Sequence, residues 1–327
     1  MSKDSVLRLL REAPDRFVSG EEIAAQLGIS RAAVCKSVSQ LRKEGYEIRS
    51  VNNRGYALSS LSNVLSEEGV LRHLRHPGLS VKVYDSVPST NTLLKRLASE
   101  GAPEGTVVIA ANQTAGKGRL GRSFYSPLNT GIYFSLLLRP LIPASEALNL
   151  TAGAAVAVAT AVEEISGRKT EIKWVNDVLI SGKKICGILT EASINCETGT
   201  MDYAVVGIGI NTRTPPGGFP EEIRAVAGSV FEEEDVPDLH CRLAAAVVDR
   251  FFDFYEDPSS DAVYQEYLRR SSVLGKKVNL IPYGGDPEPA EVLDIDREYA
   301  LLVKTDNGEL RRINSGEVSL RLRDSRF

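Results

Sequence analysis

Residues 116 to 122 read Gly116-Lys117-Gly118-Arg119-Leu120-Gly121-Arg122, three cations and three glycines in seven positions. Glycine lets backbone N–H groups approach a ligand closely, and Lys and Arg add charge-assisted donors roughly twice as strong as neutral ones. Such a loop suits an anion, either a nucleotide phosphate or an acyl phosphate. A second cationic segment, Lys173-Trp174-Val175-Asn176-Asp177, precedes the pair Lys183-Lys184. In an extended run Lys173, Val175 and Asp177 would share one face, which sets a cation beside a carboxylate. The turn Ser181-Gly182 then leads back through Lys184 into Gly187-Ile188-Leu189. In Val205 to Asn211, Gly207 and Gly209 interrupt a strand-like run, the mark of a bulge or of close approach by a ligand or another backbone. The fourth segment is Ser89-Thr90-Asn91-Thr92. Its hydroxyls can cap a helix, and with the Asn91 amide they also suit a neutral polar group such as a ureido ring.

Two commoner phosphate sites do not fit. Gly116-x-Gly118-x-x-Gly121 has dinucleotide-fingerprint spacing, but its fillers are charged and it runs into the non-helical Ser123-Phe124-Tyr125-Ser126-Pro127. A Walker A loop is absent. Cys35, Cys186, Cys196 and Cys241 form no C-x-x-C pair, and His73-x-x-His76 is followed at once by Pro77, so reduced thiols and no zinc site are expected. The apolar stretch 144–165 contains Glu146, Asn149, Glu163 and Glu164 and reads as a buried helix rather than a membrane span. No signal peptide is indicated, and the cytoplasm is the expected compartment.

The elements that must position these groups occupy 327 residues, enough for two or three domains. The net charge is -4, yet residues 1–60 carry ten Lys and Arg against seven Asp and Glu. Any pull on nucleic acid is therefore local to the N-terminus. There, Ser19 and Glu22 stand at capping-box spacing before a short helix, Gly28 suits its left-handed end, and Ser30 can cap a second helix to about Lys43. Val34, Val38 and Leu41 share one face of that helix, while Ala32, Lys36, Ser39 and Lys43 lie opposite. Strands at 46–51 and 56–58 flank Asn52-Asn53-Arg54-Gly55, a hairpin turn. This is the pattern of a winged helix-turn-helix, with Arg31, Ala32, Lys36, Ser39, Gln40, Lys43 and Arg54 as the expected DNA-facing residues.

Beyond a linker from Leu61, strands near 81–84, 107–110, 132–138 and 172–206 mix with helices near 91–99 and 146–165. No regular βαβ period emerges, which predicts α+β rather than a doubly wound sheet. From Lys276 five short strands with tight turns predict a small barrel. The expected domains are 1–62, 63–273 and 274–327.

These segments, in this order behind a winged helix-turn-helix, resemble the bifunctional biotin protein ligases that double as biotin operon repressors. The resemblance rests on Ser89-Thr90-Asn91, Gln113 with the loop Gly116 to Arg122, Lys173 to Asp177, Lys184 with Gly187-Ile188-Leu189, and Gly207 to Asn211. It departs at Lys117, where the family usually has Arg, and at Val175, where it usually has Pro; Lys117 keeps the charge but loses the planar fork. The resemblance implies a class II synthetase and lipoate ligase sheet and an SH3-like C-terminal barrel. It also implies formation of biotinyl-5′-AMP from biotin and ATP with Mg²⁺, and transfer to a lysine of a biotin carboxyl carrier protein such as that of acetyl-CoA carboxylase. By the same likeness Lys184 and Arg119 would hold the biotin carboxylate and α-phosphate, Lys117 and Arg122 would close the loop, and Lys173 would face the leaving phosphate. Ser89, Thr90 and Gln113 would hold the biotin head, within an adenylate site that also takes in Asn91, Gly116, Gly118, Gly187 and Asn211. Asp177 would orient the acceptor lysine or bind Mg²⁺. The adenylate would act as corepressor, pairing two chains on a palindromic operator. Two alternatives are a transcription regulator with an effector-binding body, which needs no clustered Lys and Asp, and a lipoate ligase, which generally lacks a DNA-binding head.

Overall fold

The computed structural model describes residues 2–43, 46–59, 64–140, 142–143, 146–195, 197–232, 236–257, 261–282, 286–314 and 318–322. The expected boundary at 62/63, the start of the linker at Leu61, and Cys196 lie outside the described residues. The chain forms two compact units, residues 1–70 with 234–242 and residues 71–233 with 243–327. The expected boundary at 273/274 falls within the second of them.

The first unit holds α1 (Ser2–Glu12), α2 (Gly20–Leu27), α3 (Arg31–Lys43), β1 (Ile48–Val51) and β2 (Gly55–Leu58). Helix α1 was not read from the sequence, although Val6, Leu7 and Leu10 are buried at helical spacing. Ser19 Oγ accepts from the Glu22 amide at 3.0 Å, Gly28 ends α2 at φ 64°, and Ser30 Oγ accepts from the Ala33 amide at 3.2 Å. These caps satisfy the amides that a helix start leaves unpaired. Val34, Val38 and Leu41 pack with Leu10, Ile23 and Ile48 in one core. That burial turns Arg31, Ala32, Lys36, Ser39, Gln40 and Lys43 outward, all exposed. Arg54, exposed in the hairpin turn, stacks over the Phe17 ring at 4.7 Å. Gly55 is required there, because at φ 98° a Cβ would stand 2.0 Å from the Val18 carbonyl oxygen.

Helix α4 (Glu67–His73) leads into the second unit. Its main sheet is built from β3 (Ser80–Tyr84), β4 (Thr106–Ala110), β5 (Gly131–Leu138), β6 (Glu171–Lys173), β7 (Asp177–Ile180), β8 (Lys183–Ile194) and β9 (Met201–Asn211), in the order β3-β4-β5-β9-β8-β7-β6. Only β3 and β4 run parallel, joined across α5 (Thr90–Ser99); the other neighbours are antiparallel. The sheet is thus mixed. Leu94 and Ala98 of α5 pack on Val108, Leu137 and Val205, on one face. The opposite face is covered by α6 (Ala147–Ser166), whose Thr151 hydroxyl meets that of Thr190 at 2.7 Å. Helix α6 is long and apolar enough to cross a membrane but is buried within this fold, where its alanines let it lie close to β8. Helices α7 (Glu221–Arg224), α8 (Leu239–Tyr255) and α9 (Ala262–Arg270) follow. The C-terminal strands β10 (Lys277–Pro282), β11 (Glu288–Ile295), β12 (Leu301–Thr305), β13 (Leu310–Ile313) and β14 (Val318–Leu322) form a five-stranded antiparallel sheet in the order β13-β12-β11-β10-β14.

Candidate active site

Strands β8 and β9 pair so that Gly187 lies opposite Gly209 and Leu189 opposite Gly207. Strand alternation puts all three glycines on the α5 face. There they leave room that other side chains fill. A Cβ on Gly209 would stand 2.5 Å from the Phe124 ring, one on Gly187 3.0 Å from it, and one on Gly207 2.0 Å from Asn91 Oδ1. A cavity of about 200 Å³ opens over this bare patch.

The β6–β7 turn forms one wall. The expected extended run from Lys173 to Asp177 is instead a hairpin, with a cis bond between Trp174 and Val175. Lys173 and Asp177 still stand side by side, but as directly opposed cross-strand partners. The turn is pinned from several sides. Trp174 Nε1 donates to the Tyr299 carbonyl at 2.6 Å, Tyr267 Oη donates to the Val175 carbonyl at 3.3 Å, and Asn176 Nδ2 donates to the Ile188 carbonyl at 3.0 Å. From β8, Lys184 Nζ lies 2.6 Å from Asp177 Oδ1, an ion pair poorly aligned for a hydrogen bond.

The basic loop folds back on itself, with Lys117 bridging to Ser123 and the Gly118 amide donating to the Arg122 carbonyl at 2.7 Å. Arg119 reaches across to donate to Asn176 Oδ1 at 3.0 Å. Burial pulls its guanidinium below the usual arginine range, and the Asp177 charge opposes that shift. Lys117, Arg119, Arg122, Lys173 and Lys184 line the cavity with Asp177 as the one carboxylate among the described lining residues. So strong an excess of cations is suited to a ligand carrying several negative oxygens.

The far wall is neutral and hydrogen-bonded. Ser89 caps α5, accepting from the Thr92 amide at 3.4 Å. Gln113 Oε1 accepts from the Thr90 amide at 2.8 Å and lies 3.1 Å from Thr90 Oγ1, while Gln113 Nε2 donates to Ser126 Oγ at 3.0 Å. Behind them, outside the cavity lining, stand Ser135, Glu191 and Lys95. Burial would raise the Glu191 carboxyl, but its bonds from Lys95 and Asn91 outweigh that and hold it below the usual carboxylate range.

Thus Ser89, Thr90, Asn91, Gln113, Lys117, Gly118, Arg119, Arg122, Lys173, Asp177, Lys184 and Gly187 come together around one cavity. Asn211 and Gly116 do not line it. Asn211 turns its amide to the Gly228 carbonyl at 3.1 Å, and Gly116 gives way to the Phe124 carbonyl, 2.4 Å from where a Cβ would be. Phe124, Asn176, Ser135, Glu191 and Lys95 carried no expected role. The Gly207-x-Gly209 spacing in β9 was the one signal in the sequence that a ring or ligand must lie on this face.

Three family models match the chain: an HTH domain over residues 3–57, the biotin/lipoate A/B protein ligase family over 83–211, and the biotin protein ligase C-terminal domain over 273–321. Over 97% of its length the chain is 35% identical to the bifunctional ligase/repressor BirA of Bacillus subtilis, covering 98% of that protein. The chain belongs to the bifunctional ligase/repressor family. The Escherichia coli BirA is 30% identical over 94% of this chain and 94% of its own length. A solved biotin protein ligase of Aquifex aeolicus, in complex with biotin and ATP, superposes with a TM-score of 0.61 at 28% identity, covering 74% of this chain and 99% of that one. A bifunctional ligase/repressor is both an enzyme and a DNA-binding protein, which accounts for a basic helix-turn-helix and a cationic cavity in one chain.

Proposed function

We propose that this cavity joins biotin to ATP and then to a carrier lysine. An oxygen of the biotin carboxylate bonds to the α-phosphorus as the bond from that phosphorus to the β-phosphate oxygen breaks, giving biotinyl-5′-AMP and pyrophosphate. The ε-amine of a lysine on a biotin carboxyl carrier protein then attacks the acyl carbon, the bond to AMP breaks, and the nitrogen loses its proton. Negative charge builds on phosphoryl oxygens in the first step, so fixed cations lower the barrier by position and electrostatics, without a protein nucleophile.

The observation that carries this reading is the convergence of Arg119, Lys173, Lys184 and Asp177 on one cavity that also presents the Thr90 and Gln113 polar groups. Lys184 and Arg119 would neutralise the carboxylate and α-phosphate, Lys173 the departing phosphate, and Lys117 and Arg122 the outer phosphates. Ser89, Thr90 and Gln113 would take the ureido head. Asp177 would hold a Mg²⁺ carried in on ATP, because one carboxylate plus phosphate oxygens is a usual Mg²⁺ set, with Lys184, now 2.6 Å from its Oδ1, turning to the substrate anion instead. That ion would supply further charge neutralisation at the phosphates. The same carboxylate stands ready to orient the incoming amine.

Incubation with ATP and radiolabelled biotin should give a labelled adenylate and a labelled carrier, whereas lipoate should give neither. Lys184→Ala should slow biotin-dependent pyrophosphate exchange by about 10²-fold or more. An unchanged exchange rate would remove Lys184 from the reaction.

For the helix-turn-helix we propose operator binding by the outward face of α3, with Arg54 beside it, in a homodimer formed when the adenylate is bound. No shift in sedimentation on adding the adenylate would refute that pairing. The cytoplasm, where ATP and carrier are found, is the proposed setting; it suits the free thiols of Cys35, Cys186 and Cys241.

A further inference from the structure

Behind the neutral wall of the cavity runs a chain of hydrogen bonds with a defined direction. Lys95 Nζ lies 2.5 Å from Glu191 Oε1, and Glu191 Oε2 accepts from Asn91 Nδ2 at 2.9 Å. The second hydrogen of that amide goes to the Leu189 carbonyl at 3.2 Å, so Asn91 turns only its oxygen toward Ser135. Ser135 Oγ lies 2.6 Å from Asn91 Oδ1 and 2.8 Å from Thr90 Oγ1. A hydroxyl has one proton. Because Asn91 Oδ1 can only accept, the Ser135 proton belongs to it, and the Thr90 hydroxyl proton is used within the wall, toward Ser135 or Gln113. Thr90 Oγ1 therefore offers the cavity lone pairs alone. Gln113 is fixed as well. Its oxygen takes the Thr90 amide, and its nitrogen spends one hydrogen on Ser126, leaving the other for a ligand.

We infer that Lys95 and Glu191 are positioning residues that set the hydrogen-bond polarity of the substrate head site, making it accept an N–H at Thr90 and donate to a carbonyl at Gln113. The inference rests on the biotin reading, since a ureido group presents an N–H beside a C=O. Glu191 anchors the sequence because a carboxylate can only accept and so holds the Asn91 amide one way round. Its charge is balanced by Lys95 without a second acid, and Gly207 leaves the gap in which Asn91 sits.

The test compares wild type with Glu191→Gln, Glu191→Asp, Lys95→Met and the double variant Lys95→Met/Glu191→Gln, in pyrophosphate exchange with biotin and with biotin methylated on one ureido nitrogen. In Glu191→Gln the new amide must face Lys95 or Asn91 with a donor, which frees the wall to turn a hydroxyl proton outward. The KM for biotin should rise about tenfold with kcat changed less than twofold, and the preference for biotin over the methylated analogue should shrink by a similar factor. Glu191→Asp should recover part of that preference, and the double variant should be no worse than Glu191→Gln. A merely structural role would lower kcat for both substrates alike. Variants that retain the wild-type preference would overturn the inference while wild-type exchange with biotin stands. Failure of wild type to exchange at all would instead overturn the ligase reading beneath it.

Discussion

At the scale of single residues, the floor of the cavity is defined by side chains that are missing. Gly209→Ala would put a methyl 2.5 Å from Phe124, a ring held edge-on to Tyr133 at a centroid distance of 6.4 Å. Overpacking of this kind costs about 1–3 kcal/mol, so the urea midpoint should fall, and the KM for biotin or ATP should rise as the ring is driven into the cavity. If both quantities are unmoved, Phe124 does not rest on that glycine in solution. The cations here were legible in the sequence because Lys and Arg placed between glycines have few other uses. Glu191 and Lys95 were not, since a carboxylate in a strand and a lysine on a helix look the same whether they are solvated or paired 96 positions apart. Asn211 carried the opposite ambiguity, a polar residue beside two site glycines whose amide serves the Gly228 carbonyl.

Among the elements, α9 is held by a cluster of charged ties. Its Arg270, only 3% exposed, bonds to Glu163 of α6, to Glu266 one turn earlier and to Thr170 before β6. Arg269 first and then Arg270 hold the Glu266 carboxyl down to about 2, against the opposing effect of burial. For Glu163 burial would raise the pKa, but bonds from Arg270 and Thr170 leave it below the usual range. A carboxyl held low in the folded chain contributes stability that is complete above its ordinary range near pH ~4.3 and is lost as the pH falls through the folded value. The wild-type urea midpoint should thus drop between about pH 4.5 and 2. Arg270→Ala should be weaker by about 1.5–3 kcal/mol at pH 7, with a flatter acid limb, because it removes a buried guanidinium from Glu163 and Glu266, each roughly 30% exposed, and from Thr170. An acid limb as steep as that of the wild type would show that the tie is not what titrates. Helices with capping signals and strands with period-two patterns were readable along the chain. The Lys173 to Asp177 hairpin was not, because five residues between two apolar runs fit an extended segment equally well, and only pairing with β8 decides.

Over the whole molecule charge is divided by task. Residues 1–60 carry ten Lys and Arg against seven Asp and Glu in a chain of net -4, and the exposed cations of α3 would meet phosphates in open solvent. Operator affinity should therefore fall steeply with salt, and Lys36→Glu/Lys43→Glu should make the slope shallower by about two units. Adenylation, in a half-buried cavity, should respond much less over the same range. Equal slopes for the double variant and wild type would exclude those lysines from phosphate contact. The order of the family segments was legible at this scale, while the grouping of the C-terminal strands with the ligase fold was not, since it depends on contacts such as that of Trp174 with Tyr299. Trp174 is also the only tryptophan in 327 residues, and it lines the cavity. The protein consequently contains its own fluorophore at the reaction centre. Selective excitation of that indole should follow occupancy by biotin and ATP, and loss of its carbonyl acceptor on unfolding, without any attached dye.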